Sequence, residues 1–286
     1  MNEDRIAILR FQVVNRHGDP INGELRYSDG RQNLPLLIIC HSFMAFKDWG
    51  FFPHASAWLA SKGLAVLTFN FSLNGVEGDN NRITRFDRFA SNTFTRELED
   101  LRRIVDAVCD AEIGSGTCDR GRIGLIGHSR GGGIAVVHAS EDDRIQALTT
   151  WSAVATFDRW SLHQIDTWRK NGFLPLAKDS TVSPLRLGIG LLEDVERHAE
   201  KLDIGRAAGK LGIPWLIVHG REDLTVKLRE AETLYDRSVK QFSRLVVLDH
   251  VSHLYNAAAA DEDDYATFNR VLTLTSDWFR QQFKLE

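Results

Sequence analysis

Five consecutive residues, Gly127-His128-Ser129-Arg130-Gly131, read G-x-S-x-G. That pattern places a serine on a sharp turn from strand to helix, where its hydroxyl stands exposed. Glycines flank such a turn because neighbouring backbone passes too close for a Cβ. Serine also caps helices, but a cap alone does not require glycine at both 127 and 131. A short apolar run leads into the motif, and a Gly-, Ala- and Val-rich stretch leads out, with Gly132 and Gly133 at its start. A helix beginning there turns free N–H groups and the positive end of its dipole toward the serine. Ser129 therefore reads as a nucleophile for acyl transfer.

A serine hydroxyl needs a base near neutral pH, and histidine titrates in that range. Of ten histidines, His253 in Leu248-Asp249-His250-Val251-Ser252-His253 is preferred. It lies in the loop after the last strand-like run, and the carboxyl ends of parallel strands are where ligands and chemistry collect. His250 is the rival, but it sits closer to the strand end and reaches less far. A carboxylate must orient the imidazole. Asp223, in Gly220-Arg221-Glu222-Asp223, also follows a strand-like run. Glu222 is its neighbour and alternative, and a solvated acid paired with Arg221 would contribute little.

Acyl transfer builds negative charge on a carbonyl oxygen, and each donor aimed at it is worth about 2.7–4 kcal/mol. One donor is the backbone N–H of Arg130. The other should come from the loop His41-Ser42-Phe43-Met44, with Phe43 the choice and Ser42 the alternative. His41 reads as a brace for that loop. The Arg130 side chain could meet a substrate carboxylate, although pairing with an acid inside the fold is the favoured reading.

The elements that must position these groups alternate in kind. Residues 5–15 and 22–29 alternate apolar and polar around a turn at His17-Gly18-Asp19-Pro20, which predicts a hairpin. Residues 34–40 form a continuous apolar run of the type buried on both faces of a sheet. Helix is expected over 53–62, 93–110, 130–140 and 262–283, and strand over 64–71, 122–127, 145–154, 213–219 and 244–249. Such alternation implies a mostly parallel sheet with helices on both faces. Residues 156–205 are too long for an ordinary loop and read as a partly helical insertion, not a second domain with its own sheet.

The bulk properties agree with a globular chain. It has 286 residues, 43% hydrophobic and 26% charged, and a net charge of −4. The charge leaves no footprint for nucleic acid. No stretch approaches the roughly 20 apolar residues of a membrane span, and MNEDRIAILRF lacks a signal core, so a cytoplasmic location is expected. The cysteines Cys40, Cys109 and Cys118 are too few and too scattered for a disulfide framework. Metal-site spacing and a phosphate-binding loop are both missing, so neither metal nor cofactor is expected.

Together these residues resemble the α/β-hydrolase family, from the strand before His41 to the last helix. They are further similar to its esterase, dienelactone-hydrolase-like and acyl-peptidase branch, whose members carry His-Gly-Phe at the oxyanion loop and a Gly-His-Ser-x-Gly-Gly elbow. The chain departs by placing Ser42 where glycine is common. Serine at 129 argues against cysteine-nucleophile dienelactone hydrolases and against the aspartate-using dehalogenases. The resemblance implies an eight-stranded, mostly parallel sheet, a core of residues 1–155 and 206–286, and a cap over 156–205. It also implies an acyl-enzyme mechanism, and the order Ser129, Asp223, His253 is the one expected for this fold. Three of seven tryptophans, Trp151, Trp160 and Trp168, fall at or near the cap and would line a substrate pocket or form the cap's own core. The expected activity is cleavage of a carboxylic ester of a small-molecule acyl substrate. An amide, peptide or thioester hydrolase and a non-catalytic ligand-binding homologue are the alternatives. A homodimer is compatible with all of them; nucleic acid and membrane are not expected partners.

Overall fold

Every residue of β3 (Leu34–Cys40) and of β4 (Ala65–Phe69) is buried, as strands covered on both faces require. They belong to a computed structural model that describes residues 5–78, 81–176, 185–257 and 265–285. The expected hairpin is β1 (Ile6–Val14) with β2 (Pro20–Ser28), paired antiparallel from Ile6–Ser28 to Val14–Pro20. The remaining strands of the main sheet are β5 (Cys118–His128), β6 (Ile145–Trp151), β9 (Trp215–Gly220) and β10 (Ser243–Leu248). Between β6 and β9 lie two three-residue strands, β7 (Phe173–Pro175) and β8 (Arg186–Gly188).

The eight-stranded sheet runs β1-β2-β4-β3-β5-β6-β9-β10. From β4 onward every pairing is parallel. The chain passes from β3 to β4 on one side and then returns to β5 on the other. That reversal is a topological switch point, where crevices open at the carboxyl ends of strands. Cys40 pairs with Gly127 at the ends of β3 and β5, so the loop after β3 and the serine turn are neighbours.

Helices cover both faces. On one face α1 (Phe52–Ala60) and α9 (Ala266–Gln282) bury Phe52, Leu59, Phe268 and Leu272 with Ile39, Val66 and Trp151. On the other, α3 (Phe94–Cys109) contributes an apolar stripe of Leu98, Leu101, Ile104, Val105 and Val108. With it pack α4 (Arg130–Ala139), α7 (Ile204–Lys210) and α8 (Leu228–Arg237). Of the helix expected over 262–283, residues 262–264 lie outside the described residues. No helix among the described residues is long and apolar enough to cross a membrane.

Helix α8 is not among the expected helices; it buries Ala231 and Leu234. The short α2 (Phe86–Ala90) buries Phe89 alone. Residues 156–205, of which 177–184 lie outside the described residues, hold α5 (Leu162–Asn171), the β7–β8 ribbon and α6 (Ile189–Arg197). The antiparallel ribbon is an addition to the expected helical insertion. The boundary expected at 205–206 falls inside α7, which packs on α4 and α8. The three tryptophans separate. Trp151 is buried beneath α9, donating from Nε1 to Thr275 Oγ1 at 3.0 Å. Trp168, in α5, is buried and lies edge-on to Trp160 at 4.9 Å.

Candidate active site

Ser129 joins β5 to α4 with φ 56° and ψ −119°, a conformation that costs a non-glycine residue roughly 1–3 kcal/mol. Surrounding bonds hold it there. Its N–H donates to Trp151 O at 2.9 Å, and its carbonyl accepts from Gly132 and Val154 at 3.0 and 3.2 Å. A Cβ on Gly127 would lie 2.4 Å from Gly131 O, and one on Gly131 2.4 Å from the carbonyl oxygens of Cys40 and His41. Only glycine lets β5, α4 and the loop after β3 close this tightly. Ser129 occupies the N-cap position of α4, yet its hydroxyl makes no capping bond. The simple capping reading is thereby excluded.

Asp223 and His253 meet from the loops after β9 and β10. His253 Nδ1 lies 2.7 Å from Asp223 Oδ2. Asp223 Oδ1 accepts the N–H groups of Thr225 and Val226 at 2.9 and 2.8 Å. Burial works to raise the Asp223 carboxyl, but the hydrogen bond and charge of His253, the Val226 N–H and His219 hold it below its ordinary value. The rival residues pair with each other instead. His250 Nδ1 is 2.9 Å from Glu222 Oε1, and the His250 side chain is 90% exposed. Arg221 pairs with Asp249 and not with Asp223.

His41 braces its loop. Its Nδ1 donates to Ser42 O at 2.9 Å, while Nε2 accepts the Phe71 N–H at 3.3 Å. Burial lowers its pKa to about 4. Ser42 brings no backbone strain, since the left-handed residue of this loop is Met44 at φ 58°. Arg130 is the first residue of α4, so its N–H lies outside the helical ladder. Its side chain forms an ion pair with Glu97, in line with the structural reading of that arginine.

Ser129, His253, Ser42, Phe43 and Arg130 line one cavity of about 370 Å³. No hydrogen bond joins Ser129 Oγ to His253 among the described residues; such bonds often tighten only when substrate is seated. The remaining walls are mostly apolar and include Trp49, Phe94, Phe157, Trp160 and Leu187. A larger groove of about 880 Å³ shares Phe157 and Arg159 but holds neither Ser129 nor His253, and its lining is strongly charged. Sequence reasoning passed over two contributors. His128, within the motif, is fully buried, and its Nε2 donates to the His253 carbonyl at 3.1 Å. Glu97, 1% exposed, interrupts the apolar stripe of α3 between Phe94 and Leu98. An acid at that position was the available signal.

A profile of the alpha/beta hydrolase family matches residues 37–267, from β3 into α9. The chain belongs to this family. Among alpha/beta hydrolases of known structure, it resembles the esterase Est1E from Butyrivibrio proteoclasticus, solved with ferulic acid bound. Identity is 20%, coverage is 96% of this chain and 99% of that one, and the TM-score is 0.72. It also resembles the esterase domain of a Rhodothermus marinus protein, at 21% identity, 97% and 98% coverage and a TM-score of 0.63. A 31.7 kDa Escherichia coli protein from the traX-finO intergenic region is 23% identical, over 90% of this chain and 94% of its own length. The alpha/beta hydrolase fold and hydrolase character of the chain stand on these matches together.

Proposed function

We propose that this alpha/beta hydrolase is a serine esterase that cleaves a carboxylic ester through an acyl-enzyme. The observation that carries the reading is the 2.7 Å His253–Asp223 bond at the cavity that also holds Ser129. Ser129 Oγ attacks the ester carbon while His253 takes its proton, and Asp223 stabilises the imidazolium that forms. The Phe43 and Arg130 N–H groups hold the oxyanion. His253 then protonates the departing alkoxide. A water attacks the acyl-serine, giving its proton to His253, and the acid leaves as Ser129 recovers its own. The aromatic walls suit a compact apolar or aromatic acyl group, which agrees in kind with the ferulic acid bound by the Butyrivibrio esterase.

A fluorophosphonate probe, together with a panel of aryl and alkyl esters and matched amides and thioesters, tests the proposal. Wild type should label and hydrolyse esters best, and Ser129→Ala should do neither. Folded wild type that neither labels nor turns over any of the panel is a ligand-binding homologue, and faster cleavage of amides or thioesters would reassign the substrate.

A further inference from the structure

The two proposed oxyanion donors are held very differently. The Arg130 N–H is fixed at the start of α4, whereas Phe43 belongs to a loop with neither strand nor helix geometry. Something must set the position of Phe43, because an oxyanion donor works only when pre-placed. The Phe43 ring has two neighbours of note: Phe89 at 5.8 Å between centroids and the Arg130 guanidinium at 4.6 Å. That guanidinium also lies 5.3 Å from the Phe94 ring and is ion-paired to Glu97. Glu97 is itself buried and accepts from Asn92 Nδ2 at 2.7 Å. The Arg130 side chain thus runs from the nucleophile's helix to the oxyanion loop, with its charge end anchored on α3.

From this geometry we infer that the Arg130 side chain is a positioning residue that locks Phe43, and with it the second oxyanion donor, relative to Ser129. The inference rests on the proposed esterase reading. A planar guanidinium can pair with a carboxylate and stack on rings at once, which a lysine ammonium cannot. Because Glu97 already neutralises it, Arg130 presents no free cation to an anionic acyl group. One residue therefore supplies an oxyanion donor from its backbone and holds the other through its side chain.

The test uses hydrolysis of 4-nitrophenyl butyrate, the rate of fluorophosphonate labelling, and melting temperature, in Arg130→Lys, Phe43→Leu and the double variant. Arg130→Lys keeps a charge opposite Glu97 but loses the stack. We expect near-wild-type melting, a KM within threefold, and a kcat and labelling rate lower by about tenfold, a fraction of the 10²–10³ for deleting a donor. Phe43→Leu should behave alike, and the double variant should be little worse than either single one, the mark of a shared interaction. If Arg130→Lys fails to fold, Glu97→Gln with Arg130→Met, which leaves no buried charge unpaired, replaces it in the same cycle. Unchanged kcat, or losses that multiply in the double variant, overturns the inference while leaving the esterase reading intact. Wild type without Ser129-dependent turnover would defeat the esterase reading itself, and the inference with it.

Discussion

Asp223→Asn should remove catalysis while leaving the fold in place, and the structure shows why. An asparagine must put one oxygen and one NH2 where the carboxylate had two acceptors. The Oδ1 position faces two backbone donors, Thr225 and Val226 at 2.9 and 2.8 Å. The Oδ2 position faces His253 Nδ1 at 2.7 Å and, more distantly, His219 Nε2 at 3.4 Å. Turning the NH2 toward the backbone leaves two donors unpaired, at about 1–3 kcal/mol each where buried. Turning it toward His253 costs less, because a neutral imidazole can shift its proton from Nδ1 to Nε2. The amide is therefore forced to face His253, and the ring adopts the tautomer with Nε2 protonated, which cannot accept the Ser129 proton. In a triad trapped in that tautomer kcat falls by about 10⁴. Saturating ester hydrolysis gives kcat, and denaturant unfolding gives stability, expected within about 2 kcal/mol of wild type. A variant within tenfold of wild-type kcat would refute the reasoning, as would a kcat loss fully accounted for by unfolding.

Other consequences can be checked as directly. His250→Ala should leave kcat/KM within about twofold, since its pair with Glu222 is exposed and such pairs contribute little; a large loss would transfer the base assignment to His250. Ser129→Gly should abolish turnover yet raise stability by about 1 kcal/mol in chemical denaturation, by releasing the φ 56° strain; a destabilised variant would show that the turn is unstrained. Burial holds His41 and His128 down to about 4 and about 3, below the unfolded value near 6.5. Their contribution is complete above pH 6.5 and is lost as pH falls toward those values. Unfolding free energy should drop by roughly 2 kcal/mol per histidine between pH 7 and 4.5, and His128→Phe should shrink that slope; a flat profile over this range would contradict it.

Much of the scaffold was legible in the sequence because its signals are local. The run 34–40 became β3 with the same bounds, and the turn at 17–20 joins a real hairpin. The serine motif lay where a strand meets a small-residue helix, and Asp223 and His253 each followed a strand. What could not be read depends on packing between distant segments. Trp151, Trp160 and Trp168 are close in sequence, yet they go to the α9 face, the cavity wall and the core on the opposite face of the sheet. Trp151 belongs to β6, and the face its side chain takes is decided by the sheet. The Glu97–Arg130 pair joins residues 33 apart, and no periodicity in either segment announces it. The β7–β8 ribbon escaped notice because three-residue strands carry too little alternation to register.

The chain has ten histidines, and the destination of each ring nitrogen is what separates those near Ser129. His41 Nδ1 donates to Ser42 O, His128 Nε2 to His253 O, and His219 Nε2 to Val226 O at 2.8 Å. Burial lowers the pKa of all three, so each is a neutral ring with one N–H spent on a backbone carbonyl. The three carbonyls belong to the loops after β3, β10 and β9, the same loops that bring Phe43 and His253 to the cavity and Asp223 to His253. A neutral imidazole suits this work because it packs as an apolar ring yet donates one directed bond, whereas a charged donor would cost far more to bury. His253 differs from them in its partner and in its access to the cavity. Its Nδ1 is turned to a carboxylate and not to a carbonyl, and among the described residues its Nε2 has no partner, while the ring lines the cavity beside Ser129. His128 and His219 each keep an unpartnered Nδ1 as well, but those atoms are buried, so the fold surrounds one histidine that opens on the cavity with three whose hydrogen bonds fix the loops around it.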